Sequence, residues 1–394
     1  MIAFTYSGQG SQQPGMGSTW VDHPSWELVH EASEIAGFDL SHLLLHADAE
    51  ELKQTHNAQI STYLLSMVIL DAVERVGVDA AGHAGHSLGE YSALTASGAI
   101  DFEDGIRLVL ERGLAMHEAT QSQEGTMAAI LGIPDETVED VCSSIDDEVW
   151  IANYNAPGQV VIAGSPSGVE KAGVASKENG AKRVTALEVS GAFHTPFMNS
   201  ARERLSIAID ETDIRQPQGT VVANVDGMSH ENPETWRALL NAQLSSPVRW
   251  HQSLGNLEDK GFATFIELGP GTVLTGLVKR CIKSANRFSI NTPEHLDSLL
   301  ESLAGPLTSE AAEEQPDGEH LYATERLIVS PNAGIFTPNN QLKIGNPVNT
   351  GDLLGTVGVE EIRSAFTGIL QGWLAVDTER VSTSQPIAWL VIPH

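Results

Sequence analysis

The segment Gly85-His86-Ser87-Leu88-Gly89-Glu90 limits what this chain can fold into more than any other stretch. Small residues, Ala80-Ala81-Gly82-His83-Ala84, lead into it, and an apolar run from Tyr91 to Ala99 follows. A strand that ends on a glycine, turns through a serine and enters a helix after a second glycine is a Gly-x-Ser-x-Gly elbow. The turn is too tight for a side chain at Gly85 or Gly89, and it projects the serine hydroxyl beside a helix N-terminus. Unpaired N–H groups at that terminus face developing negative charge. Such pentapeptides also arise by chance, so spacing alone leaves two readings of Ser87, a nucleophile and an ordinary turn serine.

An elbow of this kind needs a sheet, and the flanking pattern supplies one. Ile2 to Tyr6 reads as a buried first strand, followed by the loop Ser7-Gly8-Gln9-Gly10-Ser11-Gln12-Gln13-Pro14-Gly15. Gln13 stands where a dinucleotide fingerprint requires its third glycine, which weakens a phosphate-loop reading. The alternative is that Gly8 and Gly10 bring backbone close to a reacting group. Apolar residues recur at helical spacing over Ser25 to Ala36, Ile60 to Val76 and Phe102 to Ala119. From Thr126 the order changes: strand Thr126 to Leu131, helix Pro134 to Ile145, strands Val149 to Asn153 and Gln159 to Ala163, helix Pro166 to Asn179, strand Arg183 to Val189. That β-α-β-β-α-β order predicts a ferredoxin-like subdomain over 125–190, inserted in a larger α/β part formed by 1–124 and 191–303. After it come the loop Ser190 to Pro196, a helix from Met198 to Ile209, strand Thr220 to Asn224, and helices near Thr235 to Gln243 and His251 to Lys260. Strand Ala263 to Leu268 and helix Val273 to Ile282 then complete a mostly parallel, helix-covered sheet.

Residues 304–320 (AGPLTSEAAEEQPDGEH) have linker composition, small, acidic and without periodicity. Beyond them, 321–394 repeats itself. Ile328-Val329-Ser330-Pro331 with Gly334-Ile335-Phe336 matches Ile362-Arg363-Ser364-Ala365 with Gly368-Ile369-Leu370, and Val348-Asn349-Thr350 matches Val381-Ser382-Thr383. Two similar all-β halves predict a small quasi-symmetric β domain.

Composition narrows the function. Against 22 Lys and Arg stand 52 Asp and Glu, a formal net charge of −30. That argues against a nucleic-acid or anionic-membrane partner, while leaving room for a local basic patch. Cys142 and Cys281, the two cysteines, have neither metal nor redox spacing. No metal constellation stands out, no stretch reaches membrane-spanning length, and the N-terminus has no signal-peptide pattern. The expected setting is the cytoplasm.

Four motifs in order, Gly8-Gln9-Gly10-Ser11-Gln12, Gly85 to Ser92, Phe193-His194 and Glu267-Leu268-Gly269-Pro270-Gly271, resemble the malonyl-CoA:acyl carrier protein transacylase family from the first strand to about Ile290. The resemblance implies a serine acyltransferase with ping-pong kinetics: Ser87 takes malonyl from malonyl-CoA and yields it to the phosphopantetheine thiol of an acyl carrier protein, in fatty-acid biosynthesis. It also implies the roles of the other residues. His194 is the general base, with no acidic third member; a backbone carbonyl at Gln243 orients it instead. The amides of Gln9 and Leu88 form the oxyanion hole. Arg112 grips the malonyl carboxylate, and Phe193 excludes a branched extender. Taken alone, His194 is one histidine of 14, Arg112 a helical arginine and Phe193 a packing residue. Lys279, Arg280 and Lys283, with Arg287 nearby, form either a carrier-protein patch or a solvated face. Competing readings are the same transfer serving a polyketide synthase, and a serine hydrolase or thioesterase. Hydrolases place an acidic residue between serine and histidine, and have no need of Arg112.

The repeated C-terminal halves resemble biotinyl and lipoyl carrier domains. In those, the modified lysine sits on the hairpin between the halves, here Gly355 to Glu361, which has none; Lys343 in the first half is the domain's lysine. No biotin or lipoate is therefore expected, and the CoA thioester enters as substrate and not as a cofactor.

Overall fold

The structure, a computed structural model, describes residues 1–189, 191–304, 325–330, 334–339, 341–358, 360–364, 367–376, 378–381 and 386–391. The chain divides into two compact units, Met1–Leu307 and Thr308–His394.

In the first unit, β1 (Ile2–Tyr6) and β2 (Gly82–Gly85) pair in parallel, Ala3 opposite Gly82 and Tyr6 opposite Gly85. Next come β3 (Thr126–Leu131), β4 (Val149–Ala156), β5 (Gln159–Gly164) and β6 (Arg183–Ala186), then β7 (Thr220–Val222), β8 (Thr264–Leu268) and β9 (Asn286–Ile290). The large sheet runs β7-β2-β1-β8-β9, all parallel. Its strands alternate between two cores. Phe4, Tyr6, Val221, Ile266 and Leu268 enter one, while Ala3, Ala84, Val222 and Phe265 enter the other. A parallel sheet buried on both faces follows, with helices on each. The first core takes the long helices Thr55–Arg75 and Phe102–Ser122, the second takes Trp250–Asp259 and Val273–Cys281. Phe102–Ser122 starts where the Asp101 carboxylate accepts from the Asp104 amide, an N-cap.

The second sheet is antiparallel in the order β4-β5-β3-β6. With helices Asp135–Ser144 and Pro166–Glu178 packed through their own apolar cluster, this is the ferredoxin-like arrangement. Within this subdomain two strand ends differ most from those expected. β4 continues through Asn155 to Ala156 because irregular pairing at Ile151/Asn153 and Tyr154/Ala156 absorbs the extra residues, leaving only Pro157-Gly158 for the turn. β6 stops at Ala186, opposite Ala128, and Leu187 reaches back to the Met127 carbonyl. The half-exposed edge strand β9 and the helix Glu294–Ala304 have no equivalent in the sequence reading; a polar five-residue edge strand carries little period-2 signal.

In the second unit, β10 (Glu325–Val329), β11 (Gly334–Pro338), β12 (Pro347–Val348) and β13 (Leu353–Val357) are followed by β14 (Glu360–Arg363), β15 (Gly368–Trp373), β16 (Arg380–Val381) and β17 (Pro386–Val391). Two sheets form, β10-β17-β15-β12 and β14-β13-β11-β16. Exchanging each strand for its repeat partner converts one order into the other, so the internal repeat is a quasi-twofold sandwich around Phe336, Leu354, Leu370 and Ile387. The expected linker at 304–320 falls, from residue 305 on, outside the described residues, as do Ser190 and Val359 of the two loops named above. Among the described residues no helix is long and apolar enough to cross a membrane, and no three His, Cys, Asp or Glu side chains gather as a metal site needs.

Candidate active site

Ser87 stands at the carboxyl end of β2 with φ 54°, a left-handed conformation that costs a non-glycine residue about 1–3 kcal/mol. The glycines around it are sterically required. A Cβ on Gly85 would overlap the Gly89 carbonyl, one on Gly89 would overlap the Tyr6 carbonyl, and one on Gly8 would lie 2.5 Å from the His86 carbonyl oxygen. The loop after β1 therefore touches the elbow through backbone. The amides of Gly89, Glu90 and Tyr91 donate to the carbonyls of His86, Ser87 and Leu88, so they are not the free helix-end donors that the motif suggested. The Leu88 amide and, from the facing loop, the Gln9 amide donate to no protein acceptor among the described residues.

Four chain segments meet at the serine. His194, on the loop leaving the small subdomain, is buried and also has positive φ, 63°, its turn fastened by Thr195 Oγ1 donating to the Ala192 carbonyl at 2.7 Å. Its Nε2 is 2.7 Å from Ser87 Oγ, and its Nδ1 is 3.0 Å from the Gln243 carbonyl oxygen. A carbonyl only accepts, so Nδ1 carries the proton and Nε2 offers its lone pair to the serine hydroxyl. Burial, then the nearby Arg112 charge, pushes His194 down to about 3, which keeps the imidazole neutral at working pH, with its Nε2 lone pair free to accept a proton.

Arg112, from the middle of the helix Phe102–Ser122, is 1% exposed. Its Nη1 donates to Gln59 Oε1 at 2.6 Å, and its Nη2 donates to Gln243 Oε1 at 2.9 Å and to Ser87 Oγ at 3.1 Å. Tyr91 lies under the guanidinium, 5.4 Å from its carbon. All these partners are neutral, and among the described residues Arg112 makes no ion pair. A buried cation with no carboxylate in contact is costly, and burial depresses its pKa, opposed by the nearby Tyr91 and Glu90. Arg107, five residues earlier, is by contrast exposed and paired with Glu103 and Asp104.

The serine opens on a cleft of about 440 Å³ between the large part and the ferredoxin-like subdomain. Phe193, Met116 and Met127 form an apolar wall; Gln9, Asn153 and Gln159 supply polar groups. The helix Val273–Cys281 lines the mouth with Leu274 and Leu277, and carries Lys279 and Arg280 exposed at its end. Arg280 donates to Gln159 at 2.8 Å, and Lys283 is exposed just beyond. Arg287 does not share this face freely, because its guanidinium folds back onto the carbonyl of Ala285 at 2.7 Å.

Other residues at the site were not singled out from sequence. Asn224, just past β7, accepts from the Ser87 amide and donates to the Gly85 carbonyl, both at 2.7 Å, bracing the strained turn. Glu90, 1% exposed, accepts from the Asn224 amide at 2.7 Å and from Gln243 Nε2. Gln59 holds one arm of Arg112, and Asn155 Oδ1 accepts from His86 Nε2 at 2.8 Å. Two signals were readable: a carboxylate at the head of an otherwise apolar helix, and an asparagine at the carboxyl end of a strand near the elbow, where open parallel sheets build sites.

A parallel α/β sheet presenting a serine–histidine pair on an elbow, with a buried arginine beside it, defines a serine acyltransferase. The model of the acyl transferase domain matches residues 3–299, and the chain belongs to that family. Relatives include the malonyl CoA-acyl carrier protein transacylase of Bacillus subtilis, 41% identical over 77% of this chain and 97% of its own length. A solved acyl carrier protein S-malonyltransferase from Vibrio cholerae is 39% identical, covers 76% of this chain and 99% of its own, and superposes with TM-score 0.73. A malonyl-transacylase solved in complex with its type II PKS acyl-carrier protein is 37% identical over 76% of this chain and 99% of its own, with TM-score 0.74. The family match ends at residue 299, so the repeated β unit lies beyond it.

Proposed function

We propose that the chain moves malonyl from malonyl-CoA to the phosphopantetheine thiol of an acyl carrier protein, in the cytoplasm and in fatty-acid biosynthesis. The observation that carries this reading is Arg112, a buried guanidinium 3.1 Å from Ser87 Oγ that makes no ion pair among the described residues. A carboxylate one methylene from the reacting carbonyl supplies an ion pair in direct contact, and the planar fork holds it with two parallel hydrogen bonds.

Ser87 Oγ attacks the thioester carbonyl carbon while its proton passes to His194 Nε2. The oxyanion is met by the amides of Gln9 and Leu88, which have no other acceptor among the described residues. The C–S bond then breaks, His194 returns the proton to the departing CoA sulfur, and a malonyl ester remains on Ser87. In the second half His194 takes the proton of the carrier thiol, the sulfur attacks the ester carbonyl, and the serine leaves with that proton. The basic end of Val273–Cys281 at the cleft mouth suits an acidic carrier protein. The Gln243 carbonyl in place of an acidic partner for His194 also favours transfer over the hydrolase reading.

Incubating the protein with malonyl-CoA should add one malonyl group to Ser87, removed by holo-carrier protein; Ser87→Ala should abolish both. An unmodified mass after incubation, or turnover by the alanine variant, would refute the proposal. The β13–β14 hairpin carries no lysine in the sequence, so no biotin or lipoate is attached there. Intact mass of protein from its native host checks this.

A further inference from the structure

Glu90 is as buried as Arg112 and Gln243, and the segments that carry Asn224 and Gln243 both reach its carboxylate. One carboxylate oxygen accepts from the Asn224 amide at 2.7 Å, and Asn224 spans the elbow by its two bonds to Ser87 and Gly85. The other accepts from Gln243 Nε2, which also donates to the Ser87 carbonyl at 2.8 Å. Because Nε2 faces the carboxylate, Gln243 Oε1 must point the other way, toward Arg112 Nη2, while the same residue's backbone carbonyl holds His194 Nδ1. The amide orientation of Gln243 is thus dictated by Glu90, since only an acceptor can stand opposite Nε2.

We propose that Glu90 is a positioning residue for acyl transfer, a buried carboxylate that sets Ser87, His194 and Arg112 relative to one another through Asn224 and Gln243. It touches neither the substrate nor the reacting atoms and acts wholly through those two amides. The inference rests on the malonyl-transfer reading of the site. The charged groups facing Glu90 are Arg112, from the helix Phe102–Ser122, and Asp226, from the turn after β7. The neighbouring Tyr91 phenol is pushed up to about 12 by burial and stays neutral. Burial raises Glu90 itself to about 7, against its hydrogen bonds and Arg112. Loss of its charge on mild acidification turns an acceptor into a donor toward one of the two amides. His194, held near 3, does not titrate in that range.

The test uses Glu90→Gln, Gln243→Leu and the double variant in the full chain, with folding followed by circular dichroism. Gln243→Leu keeps the carbonyl that holds His194. Expected for Glu90→Gln is a fall in kcat on the order of 10- to 100-fold for both malonyl-CoA and acetyl-CoA, with KM for malonyl-CoA changed less than about threefold. The acid limb of the wild-type kcat profile near pH 7 should disappear in Glu90→Gln. The double variant should be no worse than the poorer single one, because both act through one unit. Three results would overturn the proposal: a kcat per folded molecule within about twofold of wild type, multiplicative losses in the double variant, or an unchanged acid limb. If Glu90→Gln fails to fold, Asn224→Ala, which removes the acceptor of the Ser87 amide, must show the same split between kcat and KM or the proposal fails. Wild-type protein that never acquires malonyl on Ser87 refutes the transfer reading instead, which keeps the two failures apart.

Discussion

Replacing Arg112 by alanine separates recognition of the acyl group from the chemistry. In the free protein the guanidinium spends one arm on Gln59 and the other on Gln243 and Ser87, and among the described residues it makes no ion pair. A malonyl carboxylate turned toward that fork gains two charge-assisted hydrogen bonds, each worth about 1.5–3 kcal/mol in a buried site. Together they amount to about 3–6 kcal/mol, or about 10²- to 10⁴-fold in kcat/KM at 1.36 kcal/mol per decade. Acetyl-CoA has no carboxylate and does not lose those bonds. Its kcat/KM should stay within about threefold of wild type or rise, so that the malonyl-to-acetyl ratio falls by nearly the full factor. Arg112→Lys keeps charge without the fork and should recover only part of the malonyl rate. The variant also leaves the buried oxygens of Gln59 and Gln243 without a donor, a cost of about 1–3 kcal/mol each in stability, so rates are compared below the melting transition. The assay is kcat/KM for both thioesters with a saturating carrier protein. Equal losses on malonyl and acetyl would show that Arg112 serves Ser87 alone. An unchanged malonyl rate would show that the carboxylate is held elsewhere.

Phe193→Ala should open the apolar wall beside Met116 and Met127 and let methylmalonyl-CoA compete, measured with mixed donors; wild-type protein that uses both equally would remove Phe193 as a selector. Charge reversal at Lys279 and Arg280 should raise the apparent KM for carrier protein by about 3- to 30-fold at low salt, an effect fading as added salt shortens the screening length. No change in that KM would leave the patch a solvated helix end. His83, buried beside Tyr6 and held neutral by burial at about 4, gives a pH signature in stability. Between about pH 4 and 6.5 the unfolded chain binds more protons at this site than the folded one, so stability rises with pH through that window and is flat above it, by up to about 3 kcal/mol. Urea unfolding of His83→Gln should show a correspondingly shallower acid slope; an identical slope would refute the assignment.

Much of the architecture was legible because it is written in local periodicities. The alternation of strands with helical patterns, the β-α-β-β-α-β order and the internal repeat are short-range properties of the chain, and so is the glycine spacing at Ser87. Boundaries at Ala156 and Ala186 were not local, because they depend on where a partner strand ends or bulges. The edge strand Asn286–Ile290 escaped notice for the same reason: its place in the sheet is conferred by β8.

The sequence by itself determined the elbow, the two-part domain plan, the candidate serine and histidine within four motifs in order and, through the family resemblance those motifs carry, the candidate arginine. Only the tertiary structure decided what each of those groups is next to. It put the Gln243 carbonyl rather than a carboxylate behind His194, left Arg112 buried with no ion pair among the described residues, and closed Asn224 and Glu90 around the turn. Those partners lie as far as 156 residues apart in the chain. Spacing can encode a turn because a turn is made by its neighbours in sequence. A hydrogen-bond network among four segments, with the desolvation that sets its charges, exists only after the sheet has brought them together.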